Sequence, residues 1–176
     1  MVCCVTGHRP KSFPFNIEND KAPEYYLYIS ALYDAVEKLI YEGYSHFITG
    51  MADGADIHFG QCVSYYKYDF EYIKLEAALP YPIRPTRNRT PYMDDRDDLL
   101  DVCDIKTEVS PRYFKGCMQK RNRYMVDKSD LVLAIWNGSY SGGTWDTIKY
   151  ARSKNKEIRY IMLNDFFDME KNRCLK

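Results

Sequence analysis

The segment LVLAIWNGSYSGGTWDTIKYA (131–151) runs from an unbroken apolar stretch, through Gly138, Gly142 and Gly143, into a helical pattern. Two other stretches share this design: TGHRP (6–10) and TGMADGAD (49–56), the second again leading straight into a helix. A helix N-terminus presents unpaired N–H groups and partial positive charge, and glycine lets an anion reach them. Phosphate is the guest that suits this chemistry. One such turn is as easily a tight corner as a binding loop. Three of them on one edge of a sheet favour a site.

The side chains around these loops add to the case. Arg9 can grip phosphate or carboxylate bidentately, or serve only in a surface ion pair. His8 can donate a hydrogen bond or exchange a proton near neutral pH. Asp53 and Asp56 flank Gly54 at a helix start, where N-capping by at least one of them competes with binding ribose hydroxyls or activating water. Met118, Asn122, Met125 and Val126 share one helical face, and a buried Asn needs partners. Arg121, beside Asn122, lets the pair reach a ligand crevice from the side. Trp136 and Trp145 lie close enough to the glycine loop to stack on a base, core packing being the simpler role for Trp136. The three histidines show no ligand spacing with Cys or carboxylates, so no metal site is expected.

Positioning these loops together requires a particular set of elements. MVCCVTG (1–7), HFITG (46–50), IKLEAALPYP (73–82), IKTEVS (105–110), LVLAIWN (131–137) and EIRYIML (157–163) read as strands. Between them lie helical patterns: Ile29 to Ile40 stopped by Gly43, Ala55 to Tyr66, the acidic PYMDDRDDLLDVCD (91–104), Lys115 to Lys128, and Gly143 to about Asn155. The tail NDFFDMEKNRCLK fits neither pattern. Strands alternating with helices specify an α/β fold with a doubly wound, mostly parallel sheet and helices on both faces. Ligands bind such sheets at the carboxyl ends of the strands, where the loops at 6–10, 49–56 and 137–144 all fall. The 176 residues fit one domain spanning 1–176.

Composition removes several function classes. Lys plus Arg and Asp plus Glu are 25 each, so no global field draws the chain to nucleic acid or acidic lipid. The basic segment IRPTRNR (83–89), with Arg84, Arg87 and Arg89, keeps a local nucleic-acid or protein contact open, although the acidic helix beside it can neutralise it. The start MVCCVTGHRP lacks a signal-peptide pattern, and no run reaches the length of a membrane span. Six cysteines without CxxC spacing read as reduced core thiols of a cytoplasmic protein, and the adjacent Cys3 and Cys4 must point to opposite sheet faces. Neither GxGxxG nor GxxxxGK[ST] occurs, which argues against an ordinary dinucleotide dehydrogenase or a P-loop NTPase.

Taken in order, VTGHRP, TGMADGAD, ALPYP and RNRYMVDKSDLVLAIWNGSYSGGT resemble the YpsA family of the SLOG superfamily, over about Val2 to Ile161. That superfamily includes the Lonely Guy phosphoribohydrolases and the Rossmann-like domain of the DNA-processing protein DprA. The resemblance implies a Rossmann-like fold and a nucleotide-derived ligand, in a sensor or an enzyme. It also implies a link to cell division, through YpsA-like proteins of Gram-positive bacteria.

The Lonely Guy enzymes carry M-x-x-R-K-x-x-M and then PGGxGTxxE, whose Arg and Glu are held to be needed for cleaving base from nucleoside monophosphate. Met118, Arg121 and Met125 match the first segment, with Asn122 in place of Lys. Gly143 and Thr144 match the second, but Thr147 replaces the Glu. Cleavage of an N-glycosidic bond needs a carboxylate to stabilise the cationic sugar or activate water. Asp146 is adjacent, but about 100° round the helix.

The expectation is therefore a phosphorylated nucleotide-like ligand, such as ADP-ribose or an NAD derivative, and no certain cofactor. Thr6, Gly7, His8 and Arg9 would line one side, and Gly50, Asp53, Gly54 and Asp56 would meet ribose or phosphate. Asn137, Gly138, Gly142, Gly143 and Thr144 would hold phosphate, while Arg121 and Asn122 close the crevice. In the rival reading, a nucleotide N-glycosidase, the candidate catalytic groups are Asp53, Asp56, Arg121 and Asp146. Self-association into a homo-oligomer is left open.

Overall fold

The computed structural model describes residues 1–83 and 90–167. Six strands form one sheet, every pairing parallel: β1 (Val2–Gly7), β2 (His46–Thr49), β3 (Lys74–Leu79), β4 (Ile105–Glu108), β5 (Leu131–Trp136) and β6 (Glu157–Met162). Five α-helices connect them: α1 (Pro23–Tyr41), α2 (Ala55–Tyr66), α3 (Pro91–Val102), α4 (Cys117–Lys128) and α5 (Gly142–Ser153). A single 3₁₀ turn, Pro10–Ser12, follows β1. The doubly wound α/β arrangement expected from the sequence is present. Except in β1, strand ends fall one to three residues short of the expected runs, because the runs continue into the loops.

The alternation of side chains along each strand assigns the two faces. Cys3, Val5, Phe47, Leu75, Leu131 and Leu133 pack in one core with Leu32 and Val36 of α1, Phe59 and Val63 of α2, and Leu99 of α3. Cys4, Ile48, Ala78 and Val132 point the other way, against Met125 and Val126 of α4 and Ala151 of α5. Cys3 and Cys4 thus serve opposite cores. A parallel strand covered on both faces has no solvent side, which is why LVLAIW reads as an uninterrupted apolar run and is buried throughout. The edge strand β4 is short and largely exposed, and its Lys106 and Glu108 discourage pairing with another chain.

One buried carboxylate lies on the α4 face. Glu76 accepts hydrogen bonds from Tyr124 (2.7 Å) and Thr107 (2.8 Å), and His46 Nε2 lies 2.8 Å from its other oxygen. Burial alone would raise its pKa, but these partners hold it below the ordinary carboxylate value.

The strand order is β4-β3-β2-β1-β5-β6. From β1 to β4 the chain steps outward in one direction, then returns to lay β5 on the free side of β1. The reversal leaves a crevice above β1 and β5, between their departing loops. Arg84, Arg87 and Arg89 lie outside the described residues, as does the tail beyond residue 167; residues 163–167 form a short helical turn.

Candidate functional site

The three glycine loops meet at that crevice and are fastened to one another by hydrogen bonds to main-chain carbonyls. Thr144 Oγ1 donates to the Gly7 carbonyl (2.8 Å), joining the start of α5 to the β1 loop. Ala55 N donates to the His8 carbonyl (3.1 Å), joining the start of α2 to the same loop. Asn137 Nδ2 reaches the Ser12 carbonyl (2.8 Å). The enclosed space, about 370 Å³, is lined by Thr6, Gly7, His8, Arg9, Asp56, Arg121, Asn122, Asn137, Gly142, Gly143 and Thr144 among others.

The glycines do different jobs. A Cβ at Gly7 would collide with the Ala55 side chain, and one at Gly50 with the Arg121 guanidinium. A Cβ at Gly54 would sit 2.7 Å from the His8 carbonyl oxygen, and its φ of +90° already favours glycine. The room these three make is taken by the protein itself, so their smallness serves the joining of loops. Gly142 and Gly143 differ: among the described residues, nothing lies within 4 Å of where a Cβ on either would sit. The open ground among these glycines is therefore at the start of α5. The helix there begins after Ser141, whose side chain makes no capping bond and instead meets the Ser139 hydroxyl at 3.0 Å.

At the floor of the crevice lies Arg121, 5% exposed. Its Nη1 is 3.4 Å from Asp56 Oδ2, a long contact, and its Nε is buried without a partner among the described residues. Asp56 Oδ2 also accepts from Ala52 N at 3.3 Å. Burial lowers the pKa of Arg121 against the pull of Asp56, and burial raises that of Asp56 against the pull of Arg121. The pair is cramped and incompletely hydrogen-bonded, so the guanidinium has donors left over. His8 is buried with Nε2 unpartnered among the described residues, and burial lowers its pKa, which keeps the ring neutral at pH 7. Arg9 stands at the rim, exposed, its side chain without a hydrogen bond or ion pair to a described residue.

Other expected positions fall elsewhere. Asp53, Gly54 and Gly138 do not line the crevice. Neither Asp53 nor Asp56 caps α2, whose N-cap is Gly54 with no side-chain bond, because Asp56 folds back over its own loop. Asp146 sits on an outer groove, 2.9 Å from Lys149. Trp136 and Trp145 stack on each other, planes 11° apart, with Tyr140 edge-on to both, and neither lines the crevice. Asn122 and Thr147 touch: Asn122 Nδ2 donates to Thr147 Oγ1 (2.8 Å), which donates in turn to the Gly143 carbonyl (2.8 Å). The two departures from the Lonely Guy pattern are thus one contact, tying α4 to α5.

Sequence reasoning missed a second, larger lobe of about 640 Å³. It opens off the first at Arg9, Ala52, Met118 and Arg121, which line both. Its remaining walls include Gly50, Met51, Leu79, Tyr81, Ile83, Tyr92, Met93, Arg96, Arg112 and Tyr113. Tyr92 OH donates to the Met51 carbonyl (2.6 Å), holding α3 against the β2 loop. The available signal was ALPYP, since its position at the carboxyl end of β3 puts it beside the other loops. Among the described residues no three His, Cys, Asp or Glu are grouped to hold a metal ion, and no helix is long and apolar enough to cross a membrane.

Comparisons with known proteins agree with this architecture. The chain is 33% identical over 148 residues to the uncharacterized SPbeta prophage-derived protein YoqJ of Bacillus subtilis (strain 168), covering 77% of this chain and 86% of that protein. It is 23% identical over 167 residues to a UPF0398 protein of Bacillus pumilus (strain SAFR-032), covering 93% and 89%. In three dimensions it is similar, with a TM-score of 0.59 and 15% identity, to DNA processing protein A from Helicobacter pylori, a structure described for its single-stranded DNA binding mode. That match covers 91% of this chain but 64% of the other, less than two thirds, and it concerns the fold alone. The model of the YpsA family, described as the YspA SLOG family, matches residues 3–168, and the chain belongs to that family.

Proposed function

We propose that the crevice binds a phosphorylated, nucleotide-derived small molecule of the ADP-ribose or NAD kind, and that the protein acts as a sensor or regulator through that binding. The observation that carries this reading is Arg121, a guanidinium buried where the two lobes meet, with its Nε unpartnered among the described residues. An unsatisfied buried donor is costly, and an anion arriving there would complete its bonding. The unobstructed start of α5 at Gly142 and Gly143 supplies main-chain amides nearby, and Arg9 adds a second positive charge at the rim. Together the lobes have the size of a small-molecule site.

The enzyme reading is weaker because, among the described residues, the crevice holds one carboxylate, Asp56, already engaged with Arg121. Thr147 stands where the Lonely Guy enzymes have a catalytic Glu, so the protein should release no base from nucleoside monophosphates. A nucleic-acid reading gains support from Arg96 and Arg112 beside Arg9, and from the likeness to a protein described as binding single-stranded DNA. It requires affinity that falls steeply with salt.

A thermal-shift screen over ADP-ribose, NAD, nucleoside monophosphates and a single-stranded oligonucleotide tests these readings. Binding to the folded state alone raises the melting temperature in proportion to the logarithm of ligand over Kd. The metabolites should stabilise the wild type and leave an Arg121→Met variant unchanged. If only the oligonucleotide shifts the midpoint, or nothing does, the small-ligand reading fails.

A further inference from the structure

We propose that the larger lobe is a ring-binding subsite that accepts the base of the ligand by its area and polarisability, without reading its hydrogen-bonding edge. The inference rests on the anion reading above, because it assigns the other end of the same molecule.

Continuity comes first. Arg9, Ala52, Met118 and Arg121 line both lobes, so a molecule anchored at Arg121 has its remainder next to the larger one. The walls there are soft and apolar: Met51, Leu79, Met93 and Met118, with Tyr92 and the edge-to-face pair Tyr81–Tyr113, whose centroids are 5.6 Å apart. Methionine and tyrosine surfaces suit planar, polarisable rings.

What the walls lack is equally telling. Among the described residues, no Asp, Glu, Asn, Gln, Ser or Thr side chain lines this lobe. Distinguishing adenine from guanine requires acceptors and donors set against the exocyclic groups. The polar groups present are arginines and tyrosines. The Tyr92 hydroxyl is already spent on the Met51 carbonyl, and Arg96 is bound to Asp97 at 2.8 Å while lying over the Tyr92 ring. Arg112 has no partner among the described residues, and is placed to stack on a ring or meet a second anionic group at the rim. The described walls favour a ring over none and present no carboxylate or amide side chain to prefer one purine over another, the Tyr81 and Tyr113 rings already meeting edge to face.

Calorimetry with ribose 5-phosphate, adenosine, AMP and GMP tests this. AMP and GMP should bind within about 3-fold of each other, and both about 10-fold or more tighter than ribose 5-phosphate, the worth of one base stacked on side chains. Met93→Trp, which fills the lobe, should erase that advantage and leave ribose 5-phosphate binding unchanged. Tyr113→Ala, at an exposed position, should reduce it without disturbing the fold. AMP no tighter than ribose 5-phosphate overturns the subsite while the anion reading stands, and a preference between AMP and GMP above about 30-fold overturns recognition by area alone. Adenosine binding as tightly as AMP, with no binding of ribose 5-phosphate, overturns the anion reading and keeps the subsite. No binding of any of the four overturns both.

Discussion

The Arg121 guanidinium occupies the volume that a side chain on Gly50 would need. Gly50 directly follows β2 and Arg121 lies 71 positions later on α4, yet each determines what the other can be. The same guanidinium then reaches Asp56, so the β2 loop and α4 are organised around one buried cation. Repetition of strand and helix builds the frame; this contact builds the pocket.

Gly50→Ala should therefore push Arg121 off Asp56. Overpacking of this kind costs about 1–3 kcal/mol, read as a lower urea midpoint with an unchanged slope. Ligand-induced stabilisation should disappear in the same variant. A variant as stable as wild type that still binds would show that Arg121 has another resting place.

Gly143→Asp separates binding from stability. Nothing described lies within 4 Å of its Cβ position, and a carboxylate in the first turn of a helix is stabilising by about 0.3–1 kcal/mol. The melting temperature should hold or rise slightly, while nucleotide-induced shifts vanish because negative charge now sits where the proposed anion would bind. The neighbouring Gly142→Ala is the contrast: φ is +81°, so the substitution should cost about 1–2 kcal/mol despite equally open space. Loss of stability in Gly143→Asp would mean that the start of α5 is not free.

Asn122 and Thr147 should prove energetically coupled. Asn122→Ala and Thr147→Val each remove the 2.8 Å bond between α4 and α5, at about 1 kcal/mol apiece. Because they remove the same bond, the double variant should cost less than the sum by about 0.5–1.5 kcal/mol. Strict additivity in denaturant melts would show that the helices do not depend on this contact.

Much of the frame was legible because its signals are local. An all-buried parallel strand must be apolar at every position, as LVLAIW is, and a helical pattern such as Ile29 to Ile40 must repeat every three to four residues. Loops at strand carboxyl ends then share one edge by topology alone. What could not be read depends on pairs distant in sequence. TGMADGAD looks like a ligand loop, yet Gly54 is small to admit the His8 carbonyl and Gly50 to admit Arg121. The larger lobe needed β3 and α3 to be set against the β2 loop, which rests on Tyr92 reaching the Met51 carbonyl. Trp136 and Trp145 sit beside the glycine loop in sequence but turn towards each other, since their large apolar area is better buried against a ring than left facing the crevice.

Acid sensitivity should centre on His58. Its ring is enclosed by Tyr25, Tyr28 and Phe13, with Nδ1 3.2 Å from the Tyr28 hydroxyl, and burial pushes its pKa from 6.5 to about 4. Between those values the unfolded chain holds a proton that the folded chain lacks. Stability is therefore full above pH 6.5 and declines as pH falls towards 4, by on the order of 2 kcal/mol at pH 4.5. His8, also lowered by burial, acts in the same direction, and Glu76 joins as pH falls into the ordinary carboxylate range and below it, because its folded pKa is depressed. Asp56 acts in the opposite sense: its raised pKa means stability is lost as pH rises through that value. These three contributions are shared by wild type and a His58→Asn variant, whose amide can hydrogen-bond the Tyr28 hydroxyl in either sense, so they cancel in the comparison. Urea midpoints between pH 7 and 4.5 should fall more steeply for wild type than for His58→Asn. Parallel curves would mean that His58 takes up its proton in the folded protein without cost, and the aromatic enclosure would have to be open to water.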